Sequence, residues 1–315
     1  MSKIILSPVY NDSQNALQLV NQIFLDYPKF FDEIVLIDDG SDSSLYDFFN
    51  SSLSQLEKQK ITIIRLNSNQ GHQRAIAIGL CFVRDKFKTP SVVVLDSDGE
   101  DGSKQIKTML DIFDGNSNVV ATRSKRQESF IFRQGYWWFK FLFIFLTGKN
   151  LNFGNFSIIN HQTLNKLVNN ANLWNNYPAT LLKHVPNIKR IKLPRQKRFS
   201  GNSSMNLMSF IQHGLGAISV FLDRVLIRIL LTLFITFLSL SIFTFAGFVL
   251  YLNSFINLDL IHLGFMLLAL LGILNISIVT LFSLINFLGN RSIRQEPPIR
   301  FYNNLISQVN ILDNK

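Results

Sequence analysis

The sequence feature that most restricts the fold of this chain is an apolar run, residues 92–95, that leads directly into acidic residues. Three of its four residues are β-branched, which is typical of a strand buried on both faces of a parallel sheet. The acids that follow are Asp96, Asp98, Glu100 and Asp101. Open α/β sheets bind ligands beyond the carboxyl ends of their strands, so these acids are candidates for a functional site.

Two aspartates separated by one residue can both reach one divalent cation, because the cation offsets the repulsion between their carboxylates. Mg²⁺ and Mn²⁺ prefer such oxygen ligands and usually keep coordination positions for substrate phosphates. The alternative interpretation is a solvated acidic turn without a ligand. The spacing of Asp96 and Asp98 alone leaves both interpretations open, and the rest of the chain favours the metal site.

Strands alternate with helices over the first part of the chain, and this order predicts βαβ units and a parallel sheet. The predicted strands are 3–7, 33–37, 61–66, 92–95 and 118–122, and the predicted helices are 13–27, 43–58 and 74–87. Acids follow three of these strands: Asp12 the first, Asp38 and Asp39 the second, and Asp96 the fourth. A doubly wound sheet brings such ends to one edge, so one shared site is a better interpretation than scattered surface acids.

Composition and missing motifs exclude several classes of protein. The chain has a formal net charge of +10, and 47% of its residues, including 29 Phe, are hydrophobic. This composition is too apolar for a purely soluble enzyme and suits a phosphate-bearing partner or an anionic membrane. No Gly-x-Gly-x-x-Gly or Gly-x-x-x-x-Gly-Lys occurs, which argues against a dinucleotide site and a P-loop ATPase. The single cysteine, Cys81, allows no disulfide within the chain.

Four short motifs occur in order along the chain. They are Pro8-Val9-Tyr10-Asn11-Asp12, Asp38-Asp39-Gly40-Ser41-Asp42, Asn69-Gln70-Gly71 and Asp96-Ser97-Asp98. As a set they resemble the successive motifs of family 2 glycosyltransferases, which have the GT-A fold, a Rossmann-like α/β domain. The sequence that follows resembles the polyisoprenyl-phosphate branch, which includes dolichol-phosphate mannose synthases and bacterial undecaprenyl-phosphate glucosyltransferases.

The resemblance implies a role for each matching position. Asp12 and Asp38 would contact the base and ribose of a nucleotide-diphosphate sugar, and Asp96 would help to hold this donor. Asp98 would bind Mg²⁺ or Mn²⁺ on the diphosphate, and Glu100, which replaces a glutamine of the branch, can also ligate the metal. The other residues assigned to the donor site are Pro8, Tyr10, Asn11 and Gly71, and those assigned to catalysis are Asp96, Asp98, Asp101, Arg123 and Arg198.

Asn155 lies in a Gly-Asn-Phe-Ser sequence where related enzymes have Gly-Asp-Phe-Arg, so it replaces an aspartate that is discussed as a catalytic base. A phosphomonoester acceptor is already largely anionic at neutral pH, since its second pKa is about 6. Such a nucleophile needs positioning and cations more than proton removal, whereas an alcohol acceptor needs the base. Asn155 therefore favours a lipid-phosphate acceptor over a sugar hydroxyl.

A dense basic run, residues 189–198, is followed by residues that resemble the family's Arg-x-x-Gly-x-Ser-Lys-Tyr stretch. Arg198, Gly201 and Ser203 match it, whereas Ser204 replaces the lysine and Met205 the tyrosine. The residues predicted to clamp the donor diphosphate and the acceptor phosphate are Arg123, Arg133, Lys197, Arg198 and Ser203. The alternative is a basic surface that rests on anionic lipid. A nucleic-acid groove is not favoured, because apolar segments follow.

Several segments predict membrane attachment. The aromatic residues 130–146 predict an interfacial helix, with a buried core helix as the alternative. Residues 209–228 predict a juxtamembrane amphipathic helix, and 229–252 and 260–288 are apolar and long enough to span a bilayer. Arginines flank this pair while its connecting loop has no Lys or Arg, so the catalytic domain and both termini are expected in the cytoplasm, without a signal peptide.

The predicted organisation is therefore a GT-A catalytic domain followed by a membrane hairpin. Its parts are a catalytic domain at 1–206 with the interfacial helix at 130–147, a juxtamembrane helix at 207–228, two transmembrane helices within 229–288 and a cytoplasmic tail at 289–315. The tail is expected to be extended and to pack on the catalytic domain or on a neighbouring subunit. The resemblance implies a tetramer or dimer.

The predicted function is the inverting, metal-dependent transfer of a sugar from a nucleotide-diphosphate sugar to a polyprenyl phosphate at the cytoplasmic membrane face. One alternative is a transferase with a sugar or lipid hydroxyl as acceptor, which includes a polymerising synthase. The Gln-x-x-Arg-Trp motif of processive members does not occur. The other alternative is a catalytically inactive membrane scaffold.

Overall fold

The structure is a computed structural model that describes residues 2–27, 30–53, 61–123, 130–194, 196–200, 207–252, 258–292 and 296–312. The strands in these residues are β1 Lys3–Val9, β2 Glu33–Asp38, β3 Ile61–Leu66, β4 Ser91–Val94, β5 Asn118–Arg123, β6 Phe153–Ile159, β7 Ile188–Leu193 and β8 Ile306–Ile311. The described α-helices are α1 Ser13–Asp26, α2 Leu45–Ser52, α3 His72–Lys86, α4 Ser103–Ile112, α5 Phe130–Thr147, α6 His161–Val168, α7 Tyr177–His184, α8 Leu207–Ser219, α9 Leu222–Leu252 and α10 Leu258–Ser292.

All of these strands lie in one sheet, in the order β7-β5-β6-β4-β1-β2-β3-β8. The first four strands run parallel, as predicted. The sheet as a whole is mixed, because β6 is antiparallel to β4 and β5, and β8 is antiparallel to β3. The prediction of a parallel sheet is therefore wrong for this outer part. After β5 the chain forms α5 and returns to the sheet at the end where β5 stopped. Strand β6 therefore runs in the opposite direction to its two neighbours, β4 and β5.

Alternate residues of the parallel strands supply two apolar cores, one on each face of the sheet. Ile4 and Leu6 of β1 lie in the core that includes α3, whereas Ile5 lies in the core that includes α1. Each of these three side chains is fully buried. Burial on both faces explains why the parallel strands read as continuous apolar runs.

Helix α5 buries one side and exposes the other. Phe143 is 1% exposed and contacts Phe221 edge-on, with ring centroids 5.7 Å apart. On the opposite side Trp137 and Trp138 are 57% and 61% exposed. Exposed tryptophans on one face of an otherwise anchored helix favour the predicted interfacial helix over the alternative of a buried core helix.

Arg228 of α9 joins the C-terminal end of α5 to the first long apolar helix. Its Nη1 donates a hydrogen bond of 2.8 Å to the carbonyl of Phe145, and a cation at this end of a helix offsets the helix dipole. Gly148 follows α5 with a φ of +68°, and a Cβ at this position would lie 2.4 Å from Arg228 Nη2. The glycine therefore leaves room for the guanidinium.

The single helix predicted over residues 209–228 is two helices, α8 and α9, which are separated by Val220 and Phe221. Both separating side chains are buried. Phe221 inserts against Phe143 of α5, and a straight helix would not allow this turn of the chain toward the core. The break is therefore caused by packing that the local sequence pattern does not report.

Helices α9 and α10 are long and apolar enough, by length and composition, to cross a membrane. The candidate spans are Leu222–Gly247 and Gly264–Phe282. Few residues of these two segments are buried, so their apolar side chains face outward, as lipid-exposed helices require. Thr236 Oγ1 donates a hydrogen bond of 3.3 Å to Asn275 Oδ1 between the two helices. The two helices thus contact each other, as the predicted hairpin requires.

The residues after α10 return to the catalytic sheet as β8. Tyr302 donates its hydroxyl proton to Asp85 Oδ2 at 2.6 Å, and Trp174 Nε1 donates to the carbonyl of Glu296 at 3.1 Å. Of the two alternatives for the tail, packing on the catalytic domain is what the structure shows. The tail is not extended throughout, because short 3₁₀ helices at Pro298–Arg300 and Tyr302–Leu305 precede the strand.

Removal of the returning tail should destabilise the sheet. Deletion of residues 296–315 removes β8 together with Tyr302 and Leu312, whose side chains are 4% and 1% exposed. The apolar surface on which these two side chains pack then becomes exposed to solvent. We expect a loss of about 4 kcal/mol in the free energy of unfolding, at about 2 kcal/mol for each large buried side chain. Thermal and denaturant unfolding in detergent measure it. Deletion of residues 313–315 is the control, and equal stability of the two deletions would contradict the expectation.

Candidate active site

The predicted acidic residues lie at the carboxyl ends of neighbouring parallel strands. Asp12 lies in the turn after β1, and Asp38 is the last residue of β2. Asp96 is separated from the end of β4 by Leu95. The register of β1 and β2 places Val9 opposite Asp38. The sheet topology therefore brings these acids to one edge, and the side-chain contacts show how their charges are offset.

Arg198 connects two of these acids across the sheet edge. Its Nη2 lies 2.8 Å from Asp12 Oδ2, and its Nη1 lies 3.9 Å from Asp98 Oδ2. Asn15 Nδ2 donates to the other oxygen of Asp12 at 2.7 Å. A guanidinium between two carboxylates offsets their mutual repulsion, so this arginine stabilises the local arrangement. A negatively charged ligand that approaches the acids would meet the same cation.

Asp38 is fully buried at the end of β2. Its Oδ1 accepts a hydrogen bond of 2.9 Å from the backbone N–H of Ser41, and Arg65 Nη1 lies 3.8 Å from Oδ2. That Oδ2 atom has no hydrogen-bond partner among the described residues. Nearby, the side chain of Asn11 exchanges two hydrogen bonds of 2.9 Å with Asp42, which ties the β1 turn to the β2 turn.

Asp39 holds the loop that precedes α3. Its two carboxylate oxygens accept hydrogen bonds from the backbone N–H groups of Gln70 and Gly71, at 2.7 and 3.0 Å. Gly40 lies against the same loop with a φ of +74°, and a Cβ at this position would be 2.6 Å from the backbone nitrogen of Asn69. The loop backbone can approach the β2 turn this closely only because residue 40 is glycine.

The acidic turn after β4 packs against the segment that contains Arg198. The carbonyl of Asp98 accepts from the backbone N–H of Phe199 at 3.2 Å, and the carbonyl of Glu100 accepts from Gln196 at 2.9 Å. Gly99 has a φ of +80°, and a Cβ there would lie 2.2 Å from Cε2 of the Phe199 ring. The predicted acidic and basic motifs are therefore direct neighbours.

Asp96 lies in a network with two polar side chains. Asn155 Nδ2 donates to Asp96 Oδ1 at 3.0 Å, and His72 Nε2 lies 3.0 Å from the same oxygen. Desolvation opposes the charged imidazolium of His72, but the charge and hydrogen bond of Asp96 outweigh it and raise the pKa of His72. A small cleft beside the network is lined by Asp96, Asp101, Ala121, Thr122, Gly154, Asn155, Phe156 and Leu193.

The oxygen ligands present fit a divalent cation that is shared with a phosphate group. Within the part of the chain that the structure describes, no three His, Cys, Asp or Glu side chains converge as metal ligands. Asp98 Oδ1 is oriented by the backbone N–H of Glu100 at 3.0 Å, so these two acids belong to one turn. Mg²⁺ is commonly bound through one or two carboxylates together with substrate phosphates, and this pair is of that kind.

The other predicted site residues are placed as follows. Pro8 lies within β1, Tyr10 is 49% exposed beyond it, and Gly71 is the N-cap of α3. Lys197 is exposed next to Arg198. The predictions for Ser203 and for the side chains of Arg123 and Arg133 lie outside the described residues.

Sequence reasoning missed two residues that shape the site, namely His72 and Gln73, and it placed Asp39 among the strand-end acids without its loop contact. Asp39 belongs to a recognised motif, but the sequence does not show that it binds a loop rather than a ligand. His72 and Gln73 directly follow the Asn69-Gln70-Gly71 motif and begin helix α3. Their position next to this motif is the sequence feature that could have identified them as site residues. Their partners, Asp96 and Asn155, are distant in the sequence.

Comparison with known proteins gives a family match and several relatives. The sequence profile of "Glycosyl transferase family 2" matches residues 4–171. An undecaprenyl-phosphate 4-deoxy-4-formamido-L-arabinose transferase from Pseudomonas syringae pv. syringae is 30% identical over 131 residues, which are 40% of this chain and 36% of that protein. The enzyme of the same description from Pectobacterium atrosepticum is 29% identical over 133 residues, 41% of this chain and 39% of that protein. The chain therefore spans less than two fifths of these relatives.

Solved structures show similarity in fold. Mannosyl-3-phosphoglycerate synthase from Rubrobacter xylanophilus matches with a TM-score of 0.51 and 12% identity, over 71% of this chain and 74% of that one. Glucosyl-3-phosphoglycerate synthase from Mycobacterium tuberculosis, solved with Mn²⁺ and uridine-diphosphate-glucose, matches with a TM-score of 0.50 and 14% identity, over 71% and 78% of the two chains. At these identities the similarity establishes the fold alone.

Asp39 should make stability depend on pH in an unusual direction. Burial raises its pKa to about 6, although the N–H groups of Gln70 and Gly71 act in the opposite sense. An aspartate in an unfolded chain titrates near 3.9, so between these two pH values the folded state holds more protons. The contribution of Asp39 to folding therefore weakens as the pH rises from about 4 to about 6.

The variant Asp39→Asn cannot titrate at this position. Relative to the wild type, its stability should rise by about 3 kcal/mol between pH 4 and pH 7, at about 1.4 kcal/mol for each pKa unit. The asparagine of this variant can accept only one of the two hydrogen bonds from the loop, and the loss of the other lowers its free energy of unfolding by an amount that does not depend on pH. Unfolding of both proteins in detergent at the two pH values measures the difference, and a difference that stays constant with pH would contradict the assignment.

Proposed function

The chain belongs to glycosyl transferase family 2, and from this premise we propose that it transfers a sugar from a nucleotide-diphosphate sugar to a polyprenyl phosphate at a membrane surface. The observation that carries the proposal is that the strand-end acids and the membrane-type helices form one packed body. Phe143 of α5 and Phe221 before α9 belong to the same apolar core as strands β1 and β4. The acidic edge is therefore held at a fixed position relative to a lipid surface.

The donor site comprises the β1 and β2 turns. Asp38 has one buried oxygen without a hydrogen bond among the described residues, which suits a hydroxyl or N–H donor of a nucleoside. The neighbouring strand β1 and its turn supply Pro8, Tyr10, Asn11 and Asp12, and the loop held by Asp39 supplies Gly71. The M. tuberculosis enzyme of the same fold was solved with uridine-diphosphate-glucose, which supports a nucleotide sugar as the class of donor.

Asp98 and Glu100 would hold the divalent cation, Mg²⁺ or Mn²⁺. When bound, the cation supplies electrostatic stabilisation of the charge that develops on the departing diphosphate. Arg198, with Nη1 3.9 Å from Asp98, acts on the same charge from the protein side. Arg123, Arg133, Lys197 and Ser203 are proposed as further phosphate contacts, and Asp101 as an acid beside the reacting centre.

The acceptor proposed is the phosphate of a polyprenyl lipid. Its oxygen attacks the anomeric carbon of the donor, the bond from this carbon to the diphosphate oxygen breaks, and the nucleoside diphosphate leaves. One displacement inverts the anomeric configuration. Asn155 does not remove a proton, and an acceptor phosphate that is already anionic requires none to be removed. Relatives described as undecaprenyl-phosphate transferases support this acceptor class.

The orientation proposed places the catalytic unit and both termini in the cytoplasm. Strand β8 pairs with β3, so the chain on both sides of the hairpin belongs to one sheet and must lie on one side of the membrane. Arg224 and Arg228 lie at the start of the first candidate span, and Arg291 lies after the second. This charge distribution supports the cytoplasmic side.

A screen of donors and acceptors tests the proposed function. Purified protein in detergent is given radiolabelled UDP-glucose, UDP-N-acetylglucosamine, UDP-galactose or GDP-mannose, with undecaprenyl phosphate and either Mg²⁺, Mn²⁺ or EDTA. We expect a chloroform-soluble labelled product with one donor and its loss in EDTA. Label transferred only to a water-soluble sugar would indicate a hydroxyl acceptor. Donor binding without any transfer would indicate an inactive scaffold.

Replacement of Asp98 tests the proposed metal role. Asp98→Asn should reduce transfer at least about 100-fold, because a neutral amide is a weak ligand for Mg²⁺ and stabilises less charge on the diphosphate. Asp111→Asn, the same change at an exposed position of α4, should leave the rate unchanged. Initial rates at saturating Mg²⁺ measure both variants. A fully active Asp98→Asn variant would exclude the metal role of this residue.

A further inference from the structure

A chain of hydrogen bonds leads from the backbone of α7 to the carboxylate of Asp96. The backbone N–H of Tyr177 donates to Gln73 Oε1 at 2.7 Å. Gln73 Nε2 donates to Asn155 Oδ1 at 3.0 Å, and Asn155 Nδ2 donates to Asp96 Oδ1 at 3.0 Å. Three segments that are far apart in the sequence thus act on one carboxylate.

The backbone N–H of Tyr177 determines which atom donates and which accepts in each of these hydrogen bonds. A backbone N–H can only donate, so the oxygen of the Gln73 amide must face Tyr177 and the nitrogen must face Asn155. The Asn155 amide must then turn its oxygen toward Gln73 and its nitrogen toward Asp96. Amide orientations are usually ambiguous, but here the backbone group at the end of the chain removes the ambiguity.

We propose that Gln73 is a positioning residue that, through Asn155, directs an N–H donor at Asp96 and so fixes the carboxylate against the donor sugar nucleotide. This inference rests on the proposed function, in which Asp96 holds the donor. His72, whose Nε2 lies 3.0 Å from the same Asp96 oxygen, provides a second contact. Held from two sides, Asp96 has little freedom to rotate.

The hydrogen bonds that lead from Tyr177 through Gln73 and Asn155 to Asp96 form a relay. This relay also explains why an asparagine suits position 155. An aspartate there could accept from Gln73 with one oxygen, but its other oxygen would take the place of Nδ2, 3.0 Å from Asp96 Oδ1. Two carboxylate oxygens at this distance repel each other. The amide thus removes a like charge and adds a donor, which is a positive role for a residue that replaces a proposed base in related enzymes.

The variant Gln73→Glu reverses the relay and keeps its attachment to α7. The glutamate still accepts from the backbone N–H of Tyr177 but cannot donate, so the Asn155 amide turns over and directs its oxygen at Asp96. We expect kcat for transfer to undecaprenyl phosphate to fall at least about tenfold, since small misplacements of reacting groups cost up to about 10²-fold. The KM for undecaprenyl phosphate and the unfolding temperature should change little. Gln162→Glu, the same change at an exposed position of α6, is the control.

Asn155→Asp is the second variant, because it leaves the contact between Gln73 and Tyr177 in place. It should lower kcat to a similar extent, and the repulsion between the two carboxylates should lower its unfolding temperature. Wild-type kcat in either variant, relative to Gln162→Glu, would overturn the relay. In Gln73→Glu, a fall in unfolding temperature together with a fall in kcat and a rise in the KM for undecaprenyl phosphate would indicate a purely structural role for Gln73 and would also overturn the relay.

A spectroscopic measurement separates the relay from the proposed function. In protein labelled with ¹⁵N-asparagine, the side-chain amide signal of Asn155 is assigned by its absence in Asn155→Asp. This signal should shift in Gln73→Glu and not in Gln162→Glu, because only the first change turns the amide over. A signal that does not move overturns the relay even if the wild type transfers no sugar. Absence of wild-type transfer together with a shifted signal would reject the proposed function and retain the relay.

Discussion

Repulsion between carboxylates at the carboxyl edge of the parallel strands is the constraint on which the rest of this structure depends. Two unit charges 4 Å apart interact by about 4 kcal/mol at the effective dielectric of a protein surface, which is a large share of the stability of a typical domain. The groups that offset these charges are Arg198, Arg65, His72, Asn155 and the backbone amides of residues 70 and 71. Because they come from separate segments, charge compensation also fixes how those segments pack at the edge.

The same body carries the lipid-facing parts. Helix α5 presents Trp137 and Trp138 on its outer side and Phe143 on its inner side, and Arg228 of α9 binds its C-terminal carbonyls. The aromatic helix, the first long apolar helix and the catalytic sheet are thus joined through side-chain contacts rather than through a flexible linker. If these helices lie in a membrane as proposed, the site has a set distance from its surface, which suits the proposed acceptor, whose phosphate lies at the headgroup level.

The central fold could be predicted from the sequence because each parallel strand is an apolar run followed by an acid or a turn. The strands 61–66 and 92–95 were predicted to within one residue for this reason. The antiparallel β6, the break at Phe221 and strand β8 were not predicted, since each depends on partners distant in the sequence. The same holds in the site. The motifs reveal that Asp38 and Asp39 matter, but only the packing shows that Asp39 binds the loop at Gln70 and Gly71.

The pairing of β8 with β3 has a consequence for biosynthesis. Strand β3 leaves the ribosome some 240 residues before its partner at residues 306–311, and both candidate spans are made in between. The final edge of the sheet therefore closes only after the hairpin has been synthesised. A chain in which only one of the two candidate spans crosses the membrane would have its last strand on the far side and could not close the sheet. In the proposed membrane arrangement, closure of the sheet therefore requires that both spans have crossed the bilayer.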